Sequence, residues 1–161
     1  MDSNWFTFNK EKVVQALRYH FISRKEIKVL LIVVNVFAVL SAVIFFFKKI
    51  SPLAFLTASA LWFFLMLMFW FVLPRIIYRK TKVFKEEFRV HFSDAAFTLE
   101  NRMGERAWYW KEFESWMESP HFFHLYFNSR SFFIVPKEAF EEDVTHEFRK
   151  TLRQFVKYTS P

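Results

Sequence analysis

VLLIVVNVFAVLSAVIFFF, residues 29–47, carries no charged side chain, and neither does LAFLTASALWFFLMLMFWFVL, residues 53–73. A helix rises about 1.5 Å per residue and the hydrocarbon core of a bilayer is about 30 Å thick, so each run is long enough to cross. Only Lys48-Lys49-Ile50-Ser51-Pro52 separates them. A connection that short joins antiparallel neighbours, so the two spans read as a transmembrane hairpin. Core helices of a soluble protein keep a polar face, and these runs have none. Their main polar side chains are Asn35, Ser41, Thr57 and Ser59. Ser and Thr can bond back onto their own helix, and Asn35 is expected to face the partner helix. None of the four is ionisable, which weighs against a proton or ion path through the pair.

Flanking charge sets the orientation. Arg24, Lys25 and Lys28 precede the first span, and Arg75, Arg79, Lys80, Lys82 and Lys85 follow the second. The loop has only Lys48 and Lys49. Eight basic residues against two place both termini in the cytoplasm of a multi-pass protein. Residues 1–26 hold charges and no apolar run, so no cleavable signal peptide is expected and the first span serves as its own signal.

The formal net charge is +7, which invites a nucleic-acid reading until it is located. Residues 1–27 carry five basic and three acidic groups, residues 28–82 seven and none, and residues 83–161 eleven and thirteen. The excess therefore lies beside the spans, where topology and anionic lipid headgroups require it. The slightly acidic remainder is a poor polyphosphate binder, so no nucleic-acid partner is expected. Cysteine is absent, which excludes disulfides, thiol nucleophiles and Cys-based metal sites.

Outside the spans the hydrophobic period distinguishes the elements. Thr7 to Lys25 reads as a short amphipathic helix, with Val13, Val14, Leu17 and Phe21 at helical spacing. It either lies in the membrane interface, the favoured reading, or packs on the soluble part. Arg75 to Lys80 carries the second helix past the headgroups. From Phe88 the period becomes two: Phe88, Val90 and Phe92 alternate with Arg89 and His91, and Phe97 and Leu99 alternate with Thr98 and Glu100. Asn101-Arg102-Met103-Gly104 holds the only glycine and is the best hairpin turn. Strands follow at 105–110, after a helical turn near Phe113 to Met117, at 122–127 and at 132–135, the last two joined by Asn128-Ser129-Arg130. Pro136 ends the final strand. Phe140, Val144, Phe148, Leu152 and Phe155 then form a helical stripe, with acidic residues at its start and basic residues toward its end. The fold class is α+β: a two-helix transmembrane hairpin, then a small antiparallel sheet or partial barrel capped by a C-terminal helix. The units are an N-terminal helix at 1–27, the hairpin at 28–82 and a β-rich module at 83–161, the last expected to fold alone.

Three short patterns carry a resemblance. Trp110-Lys111-Glu112-Phe113 is a Trp-x-x-Phe element, His124-Leu125-Tyr126-Phe127 is a tyrosine-bearing strand, and Ile134-Val135-Pro136-Lys137-Glu138-Ala139-Phe140 runs an aliphatic strand into Pro-Lys-x-x-Phe. With two preceding spans, the chain resembles the YcxB-like family of bacterial membrane proteins over nearly its full length. The resemblance implies a bacterial inner-membrane location and a pleckstrin-homology-like C-terminal domain, and no catalytic residues.

The residues that could carry chemistry read more simply as structure. His121 and His124, three apart on a strand, point to opposite faces, unlike a helical His-x-x-His metal pair. His20, His91 and His146 stand alone and are read as solvent-facing or locally bonded. Glu86-Glu87 and Glu141-Glu142-Asp143 are solvated runs rather than a catalytic pair. One glycine cannot build a phosphate loop. No catalytic, cofactor or metal site is expected. Trp110, Phe113, Pro136, Phe140, Phe148 and Leu152 are expected in the core. Trp108 and Trp110 share one strand face, and a strand edge could accept a peptide. The sequence therefore points to a non-enzymatic, membrane-anchored interaction or regulatory module. Its partners are the bilayer, anionic headgroups and an unidentified protein. The alternative is a subunit of a transporter or a small pore-forming oligomer.

Overall fold

A computed structural model describes residues 1–128 and 131–159. Ser129 and Arg130 of the expected polar turn lie outside the described residues, although Asn128 accepts a bond from the Ser131 amide through Oδ1 at 2.9 Å. The architecture is α+β. Helix α1 (Lys10–Ser23) leads into α2 (Lys25–Phe46). A second long helix runs from Pro52 to Lys80: α3 (Pro52–Leu67), a π-helical turn (Met68–Val72) and α4 (Leu73–Lys80). Both long helices are apolar and long enough to cross a membrane, with mean hydropathy 3.0 and 2.1 over their most apolar windows. Ser41 is the only buried residue of α2, and α3 has none, so their apolar side chains face outward.

The hairpin between them is built locally. Lys48 takes a left-handed conformation (φ 54°), its amide donates to Phe45 O, and Ser51 Oγ caps α3 by accepting from the Ala54 amide. Phe45 and Phe55 stack across the pair at 4.4 Å. Thr57 bonds back onto Leu53 O, as its position suggested. Asn35 does the same, donating to Leu31 O at 2.7 Å, so its amide is satisfied on its own helix rather than across the pair.

Six strands follow: β1 (Phe88–Phe92), β2 (Ala96–Asn101), β3 (Gly104–Tyr109), β4 (Ser115–Glu118), β5 (Phe122–Tyr126) and β6 (Phe132–Pro136). All pair antiparallel, but in two three-stranded sheets, β1-β2-β3 and β4-β5-β6, rather than one. The break is the 3₁₀ turn Trp110–Glu112, where Glu112 accepts from the Tyr109 amide through Oε1. The hairpin at Gly104 forms as read, with Asn101 opposite Gly104 and Asn101 Oδ1 accepting from the Met103 amide. Gly104 sits at φ 148°, where a side chain would be strained although open space surrounds it. Helix α5 (Glu142–Phe155) closes the core with Phe148 and Leu152.

The N-terminal helix begins at Lys10, with Asn9 as its cap, rather than at Thr7, and the residues before it are part of this module. The Ser3 amide donates to Val90 O and the Phe6 amide to Phe88 O, while the Phe88 amide donates back to Phe6 O and the Phe92 amide to Met1 O. Residues 1–6 thus lie antiparallel along the free edge of β1, bridged at Asp2–His91 and Phe6–Phe88. At the other end, residues 157–159 lie parallel to β4 through Trp116. Helix α1 does not lie with its apolar face outward. Val13, Val14, Ala16 and Leu17 are buried in the protein, and Lys12 pairs with Glu138. Phe6, Phe8, Val13, Ala16 and Leu17 belong to the same core as Trp110, Trp116 and Phe148. Residues 6–17 and the β-rich part, expected as separate units, thus share one core.

Candidate functional site

The junction between the long helices and the module begins with Pro74. Proline has no N–H, so the carbonyl of Trp70 loses the partner it would have four residues on. The helix answers with the π turn, in which the Leu73 amide reaches back to Met68 O. The carbonyl of Trp70 is then satisfied from outside. Arg18 of α1 donates to it through Nε at 2.9 Å. The Arg18 guanidinium also lies 5.6 Å from the Trp70 ring centroid and 5.5 Å from that of Phe71. One proline and one arginine therefore fasten α1 to the second long helix.

Beyond this clamp, Arg75, Arg79, Lys80, Lys82 and Lys85 are all exposed. None forms an ion pair among the described residues. They do not act as one group. Arg75 and Arg79 line a recess of about 440 Å³ with Phe71, Val72 and Ile76, and the fourth wall is Lys10 from the start of α1. Lys85 lines a different recess, beside Glu86, Glu87 and Arg102. Lys10 was not linked to the others in sequence, because only the packing of α1 against α4 brings it there.

Within the module the three quoted patterns have structural work. Trp110 is 3% exposed and donates from Nε1 to Ser93 O at 2.8 Å. Phe113 is buried beside it, with ring centroids 6.1 Å apart. Pro136 is buried at the end of β6. Phe140 packs 5.1 Å from Phe148. Lys137 bonds Glu118 at 2.7 Å, and Arg149 of α5 holds the same carboxylate at 2.9 Å. Burial alone would raise the Glu118 pKa, but the bonds from Arg149 and Lys137 outweigh it and hold the carboxyl below its usual range. These residues thus join β4, the turn after β6 and α5.

Residues 92–152 match the family model described as YcxB-like protein. That segment is similar to the YcxB-like family. The match bears out the resemblance over that segment, which is narrower than the nearly full length expected: α1, both long helices and the N-terminal strand lie outside it. No curated protein and no solved structure matches the chain.

Histidines that sequence reading placed in solvent or left as local also take part in this fold, both inside and outside the matched segment. His91 bridges the N-terminal segment to β2, with Nδ1 2.8 Å from Asp2 and Nε2 2.8 Å from Glu100. These bonds, to Glu100 first and Asp2 second, raise its pKa. His20 is 5% exposed, stacked 4.1 Å over Phe132, with Nδ1 3.1 Å from the Tyr126 hydroxyl. His124 is fully buried, with Nε2 3.0 Å from Ser119 Oγ, while His121 is exposed, so the two do not converge. Among the described residues no group of three or more possible metal ligands occurs. Burial, aided by the Arg24 charge, lowers the His20 pKa to about 4. Burial, then the charges of His20 and Lys137, lowers His124 to about 3.

The sign of the pH effect follows. Both buried histidines have folded pKa values below the unfolded value near 6.5, so the unfolded chain binds more protons between them. Their stabilisation is complete above about pH 6.5 and is lost as pH falls toward 4 and then 3. For His20 this amounts to about 3 kcal/mol over the full window. His91 works with the opposite sign, its contribution being lost as pH rises through its folded value. The His20→Gln variant isolates one term. Its thermal midpoint is expected to fall less steeply than that of the parent between pH 7 and 5. Parallel slopes for the two proteins would reject the assignment.

Proposed function

We propose that this chain is a multi-pass bacterial inner-membrane protein whose hairpin anchors a cytoplasmic, pleckstrin-homology-like interaction or regulatory module, without catalytic activity. The observation that carries this reading is the pairing of residues 1–6 with β1. The two segments flank the hairpin in sequence, and folding into one body requires both on one side of a bilayer. That fits two crossings. The charge difference then selects the cytoplasmic side. Two small antiparallel sheets with one helix across them support the pleckstrin-homology-like frame. Its perturbed groups are engaged in the fold: Glu118 by Lys137 and Arg149, His91 by Asp2 and Glu100, His20 by Tyr126.

The unidentified protein partner has a candidate edge. Residues 1–6 cover the edge of β1 and residues 157–159 that of β4, whereas among the described residues no strand pairs with the outer edge of β6 or of β3, and of these two the more exposed is β3. Tyr109 on that strand is 61% exposed. An extended peptide can add to such an edge. The basic residues after the second span hold the module near anionic headgroups, each contributing on the order of 1 kcal/mol.

The cysteine-free sequence allows a clean topology test. Lys49→Cys lies in the loop and Met103→Cys on a turn where the side chain is 86% exposed. In intact cells an impermeant maleimide is expected to label position 49, and position 103 only after lysis. The reverse pattern would overturn the orientation. Affinity purification in mild detergent, with and without charged substitutions along β3, then tests the edge.

A further inference from the structure

We propose that the recess formed by Lys10, Arg75 and Arg79 holds the phosphate of one anionic phospholipid, with the lipid chains against Phe71 and Val72. This rests on the membrane reading above and adds a defined site to it.

Phe71, Arg75 and Arg79 recur at four-residue spacing, which puts them on one face of the second long helix. From Phe71 to Arg79 is about 12 Å along the axis. The polar layer of one leaflet is roughly 5–8 Å thick. Phe71 therefore lies at the edge of the hydrocarbon while the two arginines reach across the headgroups. Arg75 makes the transition itself, its guanidinium 5.7 Å from the Phe71 ring centroid. Arginine forks suit phosphate oxygens, and lysine adds a point charge. Lys10, Arg75 and Arg79 are exposed, no acidic residue lines the recess, and its floor is apolar. An anionic head on an apolar tail matches that lining, and free phosphate would leave Phe71, Val72 and Ile76 without a partner.

Diffuse attraction to an anionic surface would count all basic residues alike. A built recess does not: it uses Lys10, far from the others in sequence, and ignores Lys82 and Lys85. The full-length protein is purified in mild detergent with equal phosphatidylglycerol and phosphatidylcholine, and bound lipid is counted by native mass spectrometry. Retention of one phosphatidylglycerol is expected, undisturbed by excess inorganic phosphate. The Lys10→Gln/Arg79→Gln pair is expected to weaken retention about 30-fold, each lost cation counting roughly fivefold. Lys82→Gln/Lys85→Gln is expected to leave it within about twofold, since neither side chain lines the recess. Unfolding midpoints of both pairs are measured alongside, and all four side chains are exposed. Equal losses in the two pairs would overturn the site while leaving diffuse attraction standing, and displacement by free phosphate would overturn the lipid as its occupant. Failure of the membrane reading shows separately, in the maleimide labelling.

Discussion

A fragment of residues 83–161 is expected to remain largely unfolded on its own. It lacks the segment that pairs with β1, leaving that edge open. It also lacks Phe6, Phe8, Val13 and Leu17, which are 6%, 7%, 0% and 1% exposed. Phe8 alone meets the rings of Phe84, Phe88, Phe122 and Phe133 at 5.4–6.5 Å. Burying each such side chain contributes about 1.5–3 kcal/mol. Four of them contribute roughly 6–12 kcal/mol, as much as the whole stability of a typical domain. Restoring the missing part should restore the fold. Residues 1–23, joined by a Gly/Ser linker of about 20 residues to residues 73–161, span a mean distance of roughly 25 Å and regain the lost core. Dispersed amide spectra and a cooperative melt are expected for the joined chain, and neither for the fragment. A fragment that melts as cooperatively as the joined chain would show that the N-terminal strand is an ornament.

The single substitution expected to cost most is Phe148→Ala. Phe148 is fully buried at the centre of the module, with ring centroids of Phe92, Phe140 and Phe123 at 4.8, 5.1 and 5.2 Å. Removing it leaves a cavity between both sheets and α5, at a cost of about 3–5 kcal/mol. For a chain of this size that lowers Tm by roughly 6–20 °C. Trp110→Ala falls in the same range, with the added loss of its bond to Ser93 O. Phe155, one helical turn past Leu152 and 38% exposed, serves as the comparison, and its replacement by Ala is expected to cost about 1 kcal/mol. Similar midpoints for the Phe148 and Phe155 variants would mean that the core lies elsewhere.

The long apolar helices were legible because they need no partner to be recognised. The strands were legible because Phe88-Val90-Phe92 and Phe97-Leu99 put one side inward at period two, and the Asn101–Gly104 turn is local. The division into two sheets was not, because the 3₁₀ turn at Trp110–Glu112 says only that the strand ends, not which strand pairs next. The N-terminal strand left a faint mark in Trp5-Phe6-Thr7-Phe8, where Phe6 and Phe8 do point inward. That alternation is too short to stand out, and its partner lies some eighty residues later. His20 read as solvent-facing because nothing near it in sequence announces Tyr126 or Phe132. Lys10 was missed for the same reason. The local chemistry of each member of the candidate site was visible, and their meeting depended on α1 packing along α4.

The strand formed by residues 1–6 has a consequence for how the protein is made. These residues leave the ribosome ahead of both long helices and find their partners on β1, which follows them. At about 5–20 residues per second, Phe6 waits roughly 4–16 s for Phe88. Both long helices are synthesised in that interval. On the membrane reading, a chain that inserts both keeps its ends in one compartment and can complete the core. A chain that inserts only one has its ends in different compartments, with Phe6, Phe8 and Leu17 stranded from β1 and α5. Such a chain cannot assemble the module and is left open to proteolysis. On that reading the fold counts its own membrane crossings, and only an even number yields a folded product.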